Sequence, residues 1–149
     1  MGLFDFFHKK QKAVNATHEN SGNASDYNTF DYTPFSWWLD SILEKPLPDG
    51  TVAINFNLYD DGDNHWSIEL VATSSFDSED DDWACDELFA TRENPFEWQE
   101  DSDFNKVQSF AEEIIRRYLT EGKYKDVLTK YKAIGLGFVD GDISLIYRK

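Results

Sequence analysis

The chain contains 149 residues, of which 40% are hydrophobic, and 14 Lys and Arg residues against 29 Asp and Glu residues give it a net charge of −15. This length and composition predict one domain with a core of its own. The charge argues against nucleic-acid binding, because affinity for phosphate backbones depends on cations.

The sequence also predicts where the protein works. Cys85 is the only cysteine, so the chain cannot form an internal disulfide. The first residues lack the apolar run and cleavage site of a secretory leader, and no segment has the roughly 20 apolar residues that cross a bilayer. We therefore expect a cytoplasmic protein without integral membrane association. The sequence does not specify its oligomeric state.

Residues 1–29 are predicted to form a mobile N-terminal tail and linker. In "MGLFDFFHKKQK", apolar residues precede three lysines, a pattern typical of a short amphipathic helix or of a frayed end. Residues 13–28 are small, polar and aperiodic, which is the composition of a linker. The single folded domain is expected over residues 30–149.

The domain begins with a predicted helix and hairpin. In "TPFSWWLDSILEKP" the apolar residues recur on one helical face, Thr33 can cap the helix, and Pro46 and Pro48 end it. "TVAINFNLY" and "HWSIELVAT" alternate between two faces, with "DDGDN" between them. This pattern predicts two antiparallel strands joined by a tight turn.

The middle of the chain is predicted to contain two more helices. "DWACDELF" is either a third strand or a loop. A broad apolar stripe over residues 104–119 predicts a long helix that starts at Ser102 or Asp103 and ends at Gly122. A short helix follows over residues 124–131.

The C-terminal stretch "AIGLGFVDGDISLIYR" predicts a second hairpin. Its two alternating runs meet at Asp140 and Gly141, a pair suited to a type I′ turn. Gly135 and Gly137 share one strand face, which indicates that a neighbouring backbone comes close there. Together the elements predict an α+β fold, with an antiparallel sheet built from two hairpins and covered on one face by two or three helices.

The motifs provide neither a catalytic set nor a metal site. No window has the ligand spacing of an EF-hand. Acidic neighbours of Cys85 oppose thiolate formation, and His65 is the only histidine in the predicted domain. We therefore expect no enzyme activity, no cofactor and no metal. One alternative stays open, an enzyme of unrecognised type that uses a buried carboxylate such as Glu69 or Glu97.

The negative charge is concentrated in one third of the chain. Residues 60–103 contain sixteen acidic residues and one basic residue, Arg92, so this segment accounts for the whole net charge. Aromatic residues among like charges favour a surface that binds a basic protein. The predicted partner-binding residues are Asp80, Asp81, Asp82, Trp83, Asp86, Glu87, Phe96 and Trp98, and for Trp83 a position in the core is the open alternative.

Three stretches give the domain a resemblance to a known class of proteins. The hairpin "LYDDGDNHWSIEL", the run "DSEDDDWACDE" and the ending "GLGFVDGDISLIY" resemble those of bacterial immunity proteins of polymorphic or contact-dependent toxin systems. The resemblance covers residues 30–148 and implies a basic protein partner, such as a nuclease toxin, whose active site is occluded. It assigns no role to individual residues. The other alternative is a regulatory protein whose acidic face is merely solubilising.

Overall fold

The structure, a computed structural model, describes residues 30–149, and the predicted tail and linker over residues 1–29 lie outside the described residues. The helices are α1 (Tyr32–Leu43), α2 (Phe104–Glu121) and α3 (Lys125–Thr129). The strands are β1 (Ala53–Gly62), β2 (His65–Thr73), β3 (Glu87–Ala90), β4 (Phe96–Gln99), β5 (Ala133–Phe138) and β6 (Ser144–Arg148). A 3₁₀ helix, Asp81–Cys85, precedes β3.

The six strands form one open sheet in the spatial order β3–β2–β1–β5–β6, and β4 pairs with the same edge of β2 as β3 does. Both predicted hairpins, β1–β2 and β5–β6, are antiparallel. They are joined by a parallel pair, in which Phe56 of β1 lies opposite Leu136 of β5. The α+β prediction is confirmed, and the sheet is mostly antiparallel rather than wholly so.

The main core lies between the helices and one face of the sheet. Phe56, Ile68 and Leu136 project from the strands into the same cluster as Phe35 of α1 and Ile115 of α2, and all five are fully buried. Burying a side chain of this size contributes about 1.5–3 kcal/mol. The apolar periodicities of the sequence therefore identify the face on which the helices pack.

Each long helix begins at an aspartate. Asp31, not Thr33, caps α1, because Asp31 has the extended backbone of an N-cap and its carboxylate accepts from Tyr32 N at 2.8 Å. The predicted cap at Thr33 is wrong, since that residue is already helical. Asp103 caps α2 as predicted, accepting from Lys106 N at 2.9 Å. Within residues 30–149, no helix has both the length and the apolar character that crossing a bilayer requires.

The face of the sheet opposite the helices, which we call the open face, carries a separate small cluster of buried residues at one end. There Trp83 of the 3₁₀ helix packs with Ala53 and Ala133. A Cβ added at Gly135 would lie 3.3 Å from the Trp83 ring, and one at Gly137 would collide with the carbonyl of Asp142. The predicted close approach at these two glycines is confirmed.

The turn between β5 and β6 differs from the prediction. Neither Asp140 nor Gly141 has the positive φ that a type I′ turn requires. Gly141 N instead donates to the Phe138 carbonyl at 2.9 Å, and the chain continues as a longer loop. In this loop the N–H of Ile143 donates to the Asp81 carboxylate at 3.1 Å.

Candidate functional site

The acidic turn, residues 77–87, contains six of the eight predicted binding residues. "DWACDELF" is neither one strand nor one loop, because it divides between the 3₁₀ helix and β3. Asp80, Asp81 and Asp82 are exposed on the outside of the turn. Trp83 is only 3% exposed, and its ring lies edge-on to Phe76 with the centroids 5.2 Å apart. Trp83 is thus a core residue and not the exposed anchor that was predicted.

Several carboxylates of the acidic turn also hold its backbone in place. Asp80 accepts from Asp82 N at 3.0 Å, and Asp81 accepts from the N–H of Ile143. Asp86 accepts from a serine hydroxyl at 2.6 Å. No Lys or Arg of the described part forms an ion pair with any of these carboxylates. The hydrogen-bond donors to these three carboxylates are backbone N–H groups and a hydroxyl, none of which carries a charge.

The two other predicted anchors, Phe96 and Trp98, lie in β4, a strand that the sequence pattern did not predict. Strand pairing places them beside Ile68 and Trp66, whose side chains enter the main core. Trp98 is 2% exposed, with its ring centroid 4.1 Å from that of Phe30. Trp98 is consequently a core residue, which contradicts the binding role predicted for it, whereas Phe96 is only partly buried and its binding role stays a prediction.

Glu69 lies buried on the open face, at the centre of a network of hydrogen bonds. Its carboxylate accepts from Asn57 Nδ2 at 2.9 Å and from the Tyr59 hydroxyl. Arg92 donates to both Glu69 oxygens at 3.2 Å and to Glu87 at 2.7 Å. Arg92, the only Lys or Arg of residues 60–103, is thus paired with two carboxylates, Glu69 and Glu87.

The protonation states of this network are set by its geometry. The hydrogen bond to Glu87 is the main cause that raises the pKa of Arg92, so the guanidinium stays charged. Burial, followed by the hydrogen bond to Glu69, raises the pKa of Tyr59 and keeps its hydroxyl a donor. Four donor atoms, from Asn57, Tyr59 and Arg92, fix the position of the Glu69 carboxylate.

Asp61 is a second carboxylate of the open face with an unusual environment. One Asp61 oxygen, Oδ1, is buried and accepts no hydrogen bond. Burial raises the pKa of Asp61 to about 7, with smaller contributions from the charges of Glu97 and Asp60, while a hydrogen bond from Ser67 opposes the change. Such a carboxyl can exchange a proton near neutral pH.

Asp61→Asn is expected to stabilise the protein at about pH 8 by about 1–2 kcal/mol. This is less than the full pKa shift would give, because Asp61 is partly exposed and solvent screens its charge. The folded-state pKa lies near 7 and the ordinary value is 3.8. The contribution of Asp61 to stability is therefore complete below its ordinary pKa of 3.8 and is lost as the pH rises through its folded-state pKa of about 7. Urea unfolding at about pH 5.5 and pH 8 measures this, and parallel pH profiles for wild type and variant would contradict it.

The sequence analysis missed the exposed apolar residues. Phe104 belongs to the predicted buried stripe of α2 but is 55% exposed, and Val139 in the β5–β6 loop is 53% exposed. Phe104 is the first residue of its helix, where a side chain extends past the last layer of the core. Its position directly after the cap Asp103 is the signal that would have indicated this exposure.

The described residues offer no group of three or more His, Cys, Asp or Glu side chains placed to hold a metal ion. No protein-family model, curated protein or solved structure is significantly similar to this chain. The functional assignment therefore depends on the geometry and charge of the acidic turn and the open face.

Proposed function

We propose that the protein binds a basic protein partner through the exposed carboxylates of the acidic turn. One observation carries this proposal: apart from Glu87, which together with Glu69 holds Arg92, the exposed carboxylates of the acidic turn form no ion pair within the described part. Carboxylates that only cap backbone N–H groups would not need to be so numerous in so short a segment. A partner with Lys and Arg side chains would supply the missing charge.

The acidic turn acts mainly at long range. Exposed charges attract a basic protein over roughly 10 Å at 0.1 M salt and so increase the rate of encounter. The resemblance to immunity proteins adds the biological role to the proposal: the partner is a toxin, such as a nuclease, that is neutralised in the bacterial cytoplasm by occlusion of its active site. The proposal includes no catalytic step.

The test compares two triple variants as baits and then in binding kinetics. Asp80→Asn, Asp81→Asn and Asp82→Asn together remove three charges, and asparagine retains the ability to cap and to accept hydrogen bonds. The matched control, Glu44→Gln, Asp49→Asn and Glu113→Gln, removes three exposed charges outside residues 60–103. For a captured basic protein we expect the first variant to lower the association rate constant about tenfold.

The control variant is expected to change that rate much less, because the attraction depends on where the charge lies as well as on its amount. Equal rate constants for the two triple variants would show that net charge alone matters. A captured partner that is acidic, or that binds the Asn variant as quickly as wild type, would contradict the proposal.

A further inference from the structure

A groove lies at the end of the sheet where the parallel pairing of β1 with β5 ends, at Leu58 and Phe138. It has a volume of about 600 Å³ and is bounded by Asp60 of β1, Phe104 of α2, Phe138 of β5, and Val139 and Asp140 of the following loop. The backbone closes one side, since Val139 N donates to the carbonyl of Leu58 in β1 at 3.2 Å. The groove is thus built from three separate parts of the chain.

The floor of the groove is apolar and partly open to solvent. The Phe104 and Phe138 rings lie edge to face with centroids 5.3 Å apart, and Trp66 supports both from below at 6.2 Å and 6.1 Å. Phe104 and Val139 nevertheless remain more than half exposed. Single exposed apolar residues are common, but two that line one concave surface above a buried indole form a preorganised binding surface.

The rim of the groove is acidic. Asp60 and Asp140 are both exposed, neither forms an ion pair within the described residues, and no Lys or Arg lines the groove. An apolar floor with a negative rim is complementary to an apolar side chain flanked by cations. An acidic or purely apolar segment would leave these carboxylates facing like charge or desolvated without a partner.

We propose that this groove receives an apolar side chain of the basic partner, with Lys or Arg residues beside that side chain facing Asp60 and Asp140. The inference rests on the proposed function and identifies the anchoring contact that the acidic turn lacks, because Trp83 is buried. Asp60 follows Ala53, which lies next to Trp83, by seven positions along β1, which corresponds to roughly 24 Å. The partner would therefore contact the acidic turn and the groove at opposite ends of β1.

The experiment uses three short synthetic peptides and the full chain. The first peptide is lysine-rich with a central Leu-Phe pair, the second has Ser-Ser in place of that pair, and the third has glutamates in place of the lysines. Fluorescence anisotropy compares wild type with Phe104→Ala and Val139→Ser, and with Trp37→Ala as control. Trp37 is 68% exposed and does not line the groove.

The Leu-Phe peptide is expected to bind at least about tenfold more tightly than the Ser-Ser peptide, and each groove variant is expected to weaken it at least about fivefold. Trp37→Ala should leave its affinity unchanged. Val139 lies in a loop, so its variant tests the groove even where the loss of Phe104 affects folding. Equal binding of the Leu-Phe and Ser-Ser peptides, or no effect of the groove variants, would overturn the inference.

The outcomes separate the two proposals. If the triple Asn change weakens binding of the lysine-rich peptides but the groove variants do not, the proposed function is supported and the inference about the groove is wrong. If the lysine-rich and glutamate-rich peptides bind with equal affinity, both proposals are wrong.

Discussion

Glu69→Ala is expected to lower the free energy of unfolding by about 3–5 kcal/mol. The change leaves Asn57, Tyr59 and Arg92 without the carboxylate to which all three donate. Removing one partner of a buried ion pair costs more than the pair contributes, because the remaining groups stay desolvated. Urea unfolding of the two proteins measures the difference.

Glu93→Ala is the matched control for this prediction. Glu93 is exposed and forms no ion pair in the described part of the chain, so its replacement should change stability by less than about 0.5 kcal/mol. A loss below about 1 kcal/mol for Glu69→Ala would mean that water replaces the network at little cost. The open face would then be an accessible polar surface rather than a structural one.

Trp83→Ala is expected to destabilise the domain by about 3–5 kcal/mol, mainly through the cavity that the indole leaves. Trp83 fills the space between Phe76, Ala53 and Ala133, and neither alanine can extend into that space. Thermal unfolding monitored by circular dichroism shows the effect directly. The variant should unfold at a lower temperature even when no partner is present.

Trp37→Ala makes the same chemical change at a position that is 68% exposed, and it should alter stability by less than about 0.5 kcal/mol. Comparing the two tryptophans separates burial from residue type. If Trp83→Ala melts like wild type, Trp83 is available at the surface, and the binding role originally predicted for it returns.

The sequence predicted those elements that repeat a local pattern over many residues. The alternation around Phe56 and Ile68 identified β1 and β2, and the stripe around Ile115 identified α2. In each case the apolar residues recur every two residues in a strand or nearly every four in a helix, and this period indicates which side faces the core. The face that buries these residues was therefore predictable before any tertiary contact was known.

The site depends on contacts between residues that are distant in sequence, which no local pattern records. Arg92 reaches Glu69 across 23 positions, and Asp81 holds the loop at Ile143 across 62 positions. Trp83 is buried against Ala53 and Ala133, which lie on two different strands. The acidity of the surrounding sequence indicated exposure, but small residues on these strands decided the outcome.

The salt dependence of association with a captured basic partner tests the central claim most directly. If the acidic turn attracts that partner, raising the salt from roughly 10 mM to 300 mM should lower the association rate constant about tenfold or more, since the screening length falls from about 30 Å to below 10 Å. The triple Asn variant should show a shallower dependence than wild type. A rate constant that is unchanged by salt in both proteins would contradict the account and leave the acidic turn a solubilising surface.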